Sequence, residues 1–509
     1  MTGSTGTSGT TGSTGSTGST GGRARAFSRR RLLGTGTGLG AAAALTAVGA
    51  GAGTAHAASP APSASQASPA SQASPVSQAS LSAAPGGSAP RRGHAFLAAA
   101  MDAYPDHGDL RLTQSYTDQA GLFSTAFTYD NALAVLAHLA VRTEDGRARA
   151  VALGDALIYA QEHDPAYDDG RLRQAYNVGP YVYYDGVPQP DGFVRADGTA
   201  NVGTQFGFTG TAVGDMAWAG IALSALARRT GARRFLAAAV RIGEWIERTG
   251  RTDEPLGGYK FGVNGANEKL PFTSTEHNTD LICLFGRLAR LTGDRVWWRR
   301  RARAEAFVKG MWEPGRGASG GFFYTGTNDG VTVNKSPIPE DTQTWTHLAL
   351  DSDRYARSLD WAARELAVLD HAERRNSTVP TGQSYEGVTF SSASLLANED
   401  APIAEFQPKP NRNGVWFEGT AHLALALRDR GARGDEKRAR RLLASLERAQ
   451  DLLGTDQTIG GRALPGRSGV VSASSPLDTG FGFGYYPYRH TGATAWYLMA
   501  AVRSNPLRA

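Results

Sequence analysis

Seven carboxylates stand out by where they fall: Asp130, Asp215, Glu276, Asp280, Glu340, Asp341 and Glu418. Each lies in the first two turns of a stretch whose apolar residues recur at helical spacing. Glycoside hydrolysis needs two carboxyl groups flanking one bond, one protonated as acid and one ionised as base or nucleophile. Glu276 has the best-defined setting. Ser274 or Thr275 can cap the free N–H groups of the helix that starts there, and Glu276 falls in the first turn, where the dipole favours an anion. Asp280, four residues on, shares its face. Leu281, Leu284, Phe285, Leu288 and Leu291 carry the apolar stripe, and Gly293 suits the left-handed residue that ends a helix. Capping and dipole pairing explain many acids so placed. Several acids crowded round one axis do more, because they raise some of their own pKa values, as a general acid requires. Glu276 is therefore the expected general acid, with His277 and Asn278 to orient it. Asp341, at the start of the next such helix, is the expected base or nucleophile, with Asp130 and Glu418 in reserve.

Aromatic side chains accompany these acids. Trp345 follows Asp341 by four residues, Trp416 and Phe417 precede Glu418, and Trp218 follows Asp215 by three. Tyr181, Tyr183, Tyr184, Tyr485, Tyr486 and Tyr488 fall between helices. Sugar rings have apolar faces that aromatic platforms hold, while amides and hydroxyls bind their edges. The expected substrate-binding set is His277, Asn278, Asp280, Gln343, Trp345, Trp416, His422, Tyr485 and His490. Core packing at helix ends competes as the explanation for Trp218 and Trp496.

The elements that must position these groups are helical. The periodicity predicts helices over 93–102, 129–142, 147–163, 215–230, 233–249, 275–292, 295–312, 340–350, 355–370, 415–430, 436–453 and 490–503. Few strands are convincing. Some connections are very short (Thr230-Gly-Ala-Arg233, Thr292-Gly-Asp-Arg295, Arg430-Gly-Ala-Arg433) and join antiparallel neighbours. The alternating ones, at about 165–214, 250–273, 313–339, 371–414 and 454–489, are long. All long loops thus fall at one end of a stack of hairpins. Helices after short turns are heavily charged and suit an outer ring. Those after long loops have polar first turns and apolar bodies and suit an inner ring, whose N-termini converge at the long-loop end.

Six hairpins with acids at the inner-helix starts, and the motifs Thr-Glu-His-Asn, Asp-Thr-Gln-Thr-Trp and Phe-Glu-Gly-Thr-Ala-His, resemble the (α/α)6 toroid of the six-hairpin glycosidases over about residues 93–505. They are also similar to a group of exported bacterial proteins. The resemblance implies an all-α toroid and, by class, a glycoside hydrolase acting on an oligo- or polysaccharide. The same toroid hosts polysaccharide lyases, sugar epimerases and terpenoid cyclases. A lyase would use Asn278, His277 or a loop tyrosine against a uronate, but it needs a cationic mouth. A glycan-binding protein would need the aromatics without the carboxylates. An epimerase is disfavoured, since such enzymes usually serve cytoplasmic sugar metabolism.

The N-terminal part of the chain reads differently. Residues 1–22 are a Thr-Gly-Ser repeat. Ser28-Arg-Arg-Arg-Leu-Leu-Gly34 resembles the twin-arginine export motif, and Ala55-His-Ala57 a cleavage site. Residues 58–92 are an Ala/Ser/Pro/Gln linker, expected to be disordered, and 93–509 the expected catalytic domain. The reading is of a secreted or wall-associated protein, monomeric, with no membrane span once processed. The chain has 53 basic and 47 acidic residues, a net of +6. Five arginines (Arg23, Arg25, Arg29, Arg30, Arg31) lie in the leader, so the mature chain is near 48 against 47 and offers no case for nucleic-acid binding. Cys283 is the only cysteine, so no intrachain disulfide forms. No His-x-x-x-His pair, thiolate cluster or nucleotide-binding motif occurs, and neither a catalytic metal nor a cofactor is expected. Asp-Asp-Gly and Asn328-Asp-Gly turns offer oxygens to a structural Ca²⁺, though without EF-hand spacing.

Overall fold

A computed structural model of the chain describes residues 88–508, apart from 106–107, 183–185, 204–206, 316–319 and 405–406. The expected leader, export motif and most of the expected linker, with Tyr183 and Tyr184, lie outside the described residues. Twelve α-helices occur among those described: α1 Ser88–Met101, α2 Thr128–Ala140, α3 Glu144–Glu162, α4 Val213–Thr230, α5 Arg233–Gly250, α6 Thr275–Thr292, α7 Val296–Gly310, α8 Asp341–Leu350, α9 Arg357–Glu365, α10 Phe417–Arg430, α11 Asp435–Leu452 and α12 Thr491–Ala501. Even-numbered helices touch in the order α2-α4-α6-α8-α10-α12 and back to α2, forming a closed inner ring. Each packs against an odd-numbered partner outside it, and α1 pairs with α12 to complete the sixth hairpin. The fold is the all-α (α/α)6 toroid.

The hairpin turns follow from glycine. Gly231, Gly293 and Gly431 end α4, α6 and α10 in the left-handed region, at φ 73°, 74° and 65°, which costs glycine no Cβ clash. The outer ring pairs its charges across helices: Arg300 of α7 reaches both Glu244 oxygens of α5, at 2.7 and 3.0 Å. The expected helix over 355–370 is shorter than its periodicity suggests. It stops at Glu365, and Ala367–His371 is a strand paired with Ser384–Val388. The extended form delivers the buried Asp370 carboxylate to Ser474, Ser475 and Asn411, which donate at 2.6, 2.6 and 2.8 Å. Three donors to one buried carboxylate outweigh a weak helix preference.

At the long-loop end the connections are sewn together by short antiparallel pairings. Thr125–Phe127 pairs with Ala175–Asn177, Thr211–Ala212 with Gly262–Val263, and Thr273–Ser274 with Gly326–Thr327. Single bridges join Pro339 to Ser391, Trp416 to Ala473 and His490 to Tyr116. Each loop is thereby tied to the next just ahead of an inner helix, and the last is tied to the first. These pairings are too short to read from sequence.

Candidate active site at the long-loop end

The six inner helices repeat one local design. Four residues past the last extended residue, a side chain turns back to hold the loop backbone. Asn131, Asn278 and Gln343 each accept from one loop N–H (Thr113, Tyr259, Phe323; 2.7, 2.9 and 2.8 Å) and donate to that same residue's carbonyl. Each also donates to the carbonyl four residues back, in Phe127, Ser274 and Pro339. Thr420 and Thr494 make two of these three bonds with one hydroxyl, accepting from the Val388 and Val470 N–H groups and donating to the Trp416 and His490 carbonyls. In α4 the position is Met216, whose sulfur receives Leu172 N–H. Asn278 and Gln343, expected to bind substrate, are therefore fully engaged with backbone. His277 is likewise turned into packing: its ring lies 4.4 Å from that of Phe261, and burial lowers its pKa to about 3, so it is neutral. Neither His277 nor Asn278 orients Glu276.

Two positions before each clamp stand the residues of an upper tier. Reading round the ring from α2, these are Tyr129, Gly214, Glu276, Asp341, Glu418 and Gly492. One turn deeper lie Leu133, Trp218, Asp280, Trp345, His422 and Trp496. The upper tier is a partial ring of acids. The lower tier is a plug of indoles in mutual contact, with Trp218–Trp345, Trp218–Trp496 and Trp345–Trp496 centroids 5.0, 5.6 and 5.7 Å apart. Gly492 makes room for the acids: a Cβ there would lie 2.6 Å from Asp130 and 3.0 Å from Glu418.

Burial and partners then sort the acids. Glu418 accepts from Tyr129 Oη at 2.6 Å, with His422 Nε2 3.8 Å and His490 Nδ1 3.5 Å away. Burial alone would raise its pKa, but His422, His490 and Tyr129 together hold it below the ordinary glutamate value. Glu276 has no such donors. Burial, with the charges of Asp341, Asp215 and Glu418, pushes it well above its usual range. Asp341 is raised to about 7 by burial and by Glu340, against His422 and the Thr342 N–H. Asp280 and Asp215 are raised as well, mainly by burial. His422 Nδ1 stands 3.2 Å from Glu340, and His490 Nε2 3.2 Å from Asp130. In both imidazoles the carboxylates raise the pKa against burial. The tier thus sets a carboxyl whose proton is favoured, Glu276, against one whose charge is favoured, Glu418.

Tyr129, Glu276, Asp341, Trp345, Phe390, Trp416, Glu418 and Tyr485 line one small cavity, with room for no more than about one water molecule. Phe390, Trp416, Phe481, Phe483 and Tyr485 form an aromatic cluster over it, and Trp416 stacks on Tyr485 at 5.7 Å. The structure brings together Glu276, Asp341, Glu418, Trp345, Trp416 and Tyr485, with Asp130, His422 and His490 joined through Glu418 and Asp280 one turn below. Sequence reasoning missed Tyr129, which also accepts from Trp496 Nε1 at 2.9 Å, and Tyr116, stacked on His490 at 4.1 Å. A signal for Tyr129 was present: it stands two residues before its helix's clamp, as Glu276 does. The Asp169 and Asp329 turn carboxylates are spent on Arg171 and Trp245, and on the Val331 and Thr332 N–H groups.

No protein-family model matches the chain, and no curated protein matches it in sequence. Solved structures do. A D-mannose isomerase superposes with a TM-score of 0.52 at 13% identity, covering 86% of this chain and 99% of that one. A wild-type glycosidase (TM-score 0.49, 13% identity, 82% and 96% covered) and a sugar epimerase from a ruminal bacterium (0.49, 10%, 80% and 98%) are also similar. At these identities the likeness is one of fold, and it rests on the D-mannose isomerase.

Proposed function

We propose that this chain is an exported carbohydrate-active enzyme, a glycoside hydrolase with Glu276 as general acid and Glu418 as the ionised base or nucleophile. One observation carries the reading: a buried carboxyl whose proton is favoured and a buried carboxylate whose charge is favoured line one aromatic-walled cavity. Glu276 would protonate the leaving glycosidic oxygen. Glu418 would attack the anomeric carbon or activate a water. Asp341, the sequence-based choice for the second role, is half protonated near neutrality at a pKa of about 7, so it suits that role less well than Glu418. A sugar ring enters only when Phe390, Trp416 and Tyr485 part, because the cavity between them is water-sized.

A second reading, sugar isomerisation or epimerisation, is favoured by a separate observation. His422 and His490 are each held by a buried carboxylate on either side of Glu418, as two proton-transferring groups would be. The fold likeness to a D-mannose isomerase is compatible with it.

A panel of glycans and free sugars in D₂O separates these readings. New reducing ends without an unsaturated product support the hydrolase. An unsaturated uronate would establish a lyase, and deuterium entering a sugar without bond cleavage would establish the isomerase. Loss of turnover in Glu276→Gln with glycan binding retained supports the site. Export belongs to the same proposal. Replacing Arg29, Arg30 and Arg31 by lysine should leave the precursor inside the cell, and secretion of that variant would refute the twin-arginine reading. We further propose a monomeric catalytic domain from about residue 88, where α1 begins ahead of the expected boundary at 93, to be checked by light scattering of the processed chain.

A further inference from the structure

A second cavity lies at the other end of the barrel, among the C-terminal turns of α2, α4 and α12, the body of α6 and the tail 504–506. It measures about 580 Å³, and small-molecule sites run about 300–1,000 Å³. Arg142, Arg228, Arg229 and Arg287 line it, and no acidic residue does. Among the described residues, Arg142, Arg228 and Arg229 make no ion pair, and Arg287 bonds to carbonyls (Ile221 at 3.1 Å, Pro506 at 2.7 Å and Arg508 at 3.1 Å) and to the Cys283 thiol, with no carboxylate partner. Other arginines at this end do have carboxylate partners: Arg428 has Glu436, Arg430 has Asp360 and Asp435, and Arg508 has Asp429.

Helix-dipole compensation accounts for Arg228 and Arg229, which sit in the last turn of α4. It does not account for Arg142, beyond the end of α2 in the left-handed region (φ 55°), nor for Arg287, inside α6. Four like charges around one concavity repel each other, and an anion between them relieves that repulsion. Leu136 and Met499 give the cavity an apolar floor. The tail that walls it is pinned by the Arg287–Pro506 bond, by Asn505 Nδ2 to Leu348 O at 3.1 Å and by the buried Leu507. The indole plug separates this cavity from the acids at the long-loop end.

We infer that the short-turn end of the barrel holds a second binding site, for a small phosphorylated ligand whose phosphate sits among Arg142, Arg228, Arg229 and Arg287. A tetrahedral dianion takes donors from several guanidinium forks at once, whereas a planar carboxylate is matched by one. The sugar or apolar remainder would rest on Leu136 and Met499. The site is independent of the chemistry proposed for the other end.

The test is the thermal midpoint of the processed chain against glucose 6-phosphate, with sulfate and citrate at matched ionic strength. A saturable rise with glucose 6-phosphate is expected at about 10 mM or below, larger than with sulfate, which shares the tetrahedral dianion but lacks the sugar, and absent with citrate. The double variant Arg228→Gln/Arg229→Gln, and separately Arg142→Gln, should weaken the probe at least about tenfold. Each rise is read against that protein's own ligand-free midpoint, so a general loss of stability does not imitate loss of binding. No rise, an equal rise in the variants, or an equal rise with sulfate or citrate would each overturn the proposal.

Discussion

Asp341→Asn should make the protein more stable as the pH rises, and the size of the gain follows from the carboxyl's setting. Asp341 is 4% exposed, and its pKa is raised from 3.8 to about 7 by burial and by Glu340. A folded-state pKa above the unfolded one means that the native state holds the proton longer. Stability therefore falls with rising pH across the window between the two values, from about 4 to about 7. Each tenfold gain in proton affinity on folding is worth about 1.4 kcal/mol. The rise amounts to roughly three such factors, which sets an upper bound near about 4 kcal/mol on the wild-type loss. Asparagine is nearly isosteric, keeps an oxygen for the Thr342 N–H that Asp341 accepts at 2.6 Å, and cannot ionise. Urea unfolding of both proteins from acid to mildly alkaline pH would show the two curves together at low pH and the variant increasingly ahead above it. A difference that stays flat with pH, or that favours the wild type as pH rises, would refute the argument that burial and Glu340 oppose this charge.

Three further outcomes follow from the same geometry. Glu276→Gln should lower kcat on a cleaved glycan by about 10²–10⁴-fold while leaving binding near wild type, measured by turnover and by calorimetry. Tyr129→Phe removes the 2.6 Å donor to Glu418 and should move the acid limb of the activity–pH profile upward by about one pH unit; an unmoved limb would mean that Glu418 does not set it. Asn278→Ala breaks three buried bonds to loop backbone and should cost about 2–4 kcal/mol in denaturant unfolding, with the pH profile of the folded fraction unchanged.

The architecture was legible because it is written locally. Twelve stretches of helical periodicity, glycines past the short turns and long loops at one end suffice to define a ring of hairpins. The acids were legible as a group, and Glu276 and Glu418 as members. Their ranking was not, since it depends on which neighbours donate: Tyr129 to Glu418 spans 289 residues, and His490 to Asp130 spans 360. The polar first turns misled in one respect. Asn278 and Gln343 look like ligands in sequence, and only the loop backbones opposite them reveal clamps. The strand at 367–371 escaped because its reason, the three donors around Asp370, comes from distant segments.

The ring of loop pairings closes only where His490 meets Tyr116, so the first and last long loops must find each other before the circuit exists. The same meeting sets His490 beside Asp130 and Glu418, which makes the final stitch of the fold and the completion of the acid cluster a single event. A nascent chain lacking His490 and α12 would carry these carboxylates without the imidazole that joins Asp130 to Glu418. Contacts of such sequence separation form late and cooperatively. The proposed site would therefore act as its own certificate of folding, since its chemistry would need the first and last loops joined.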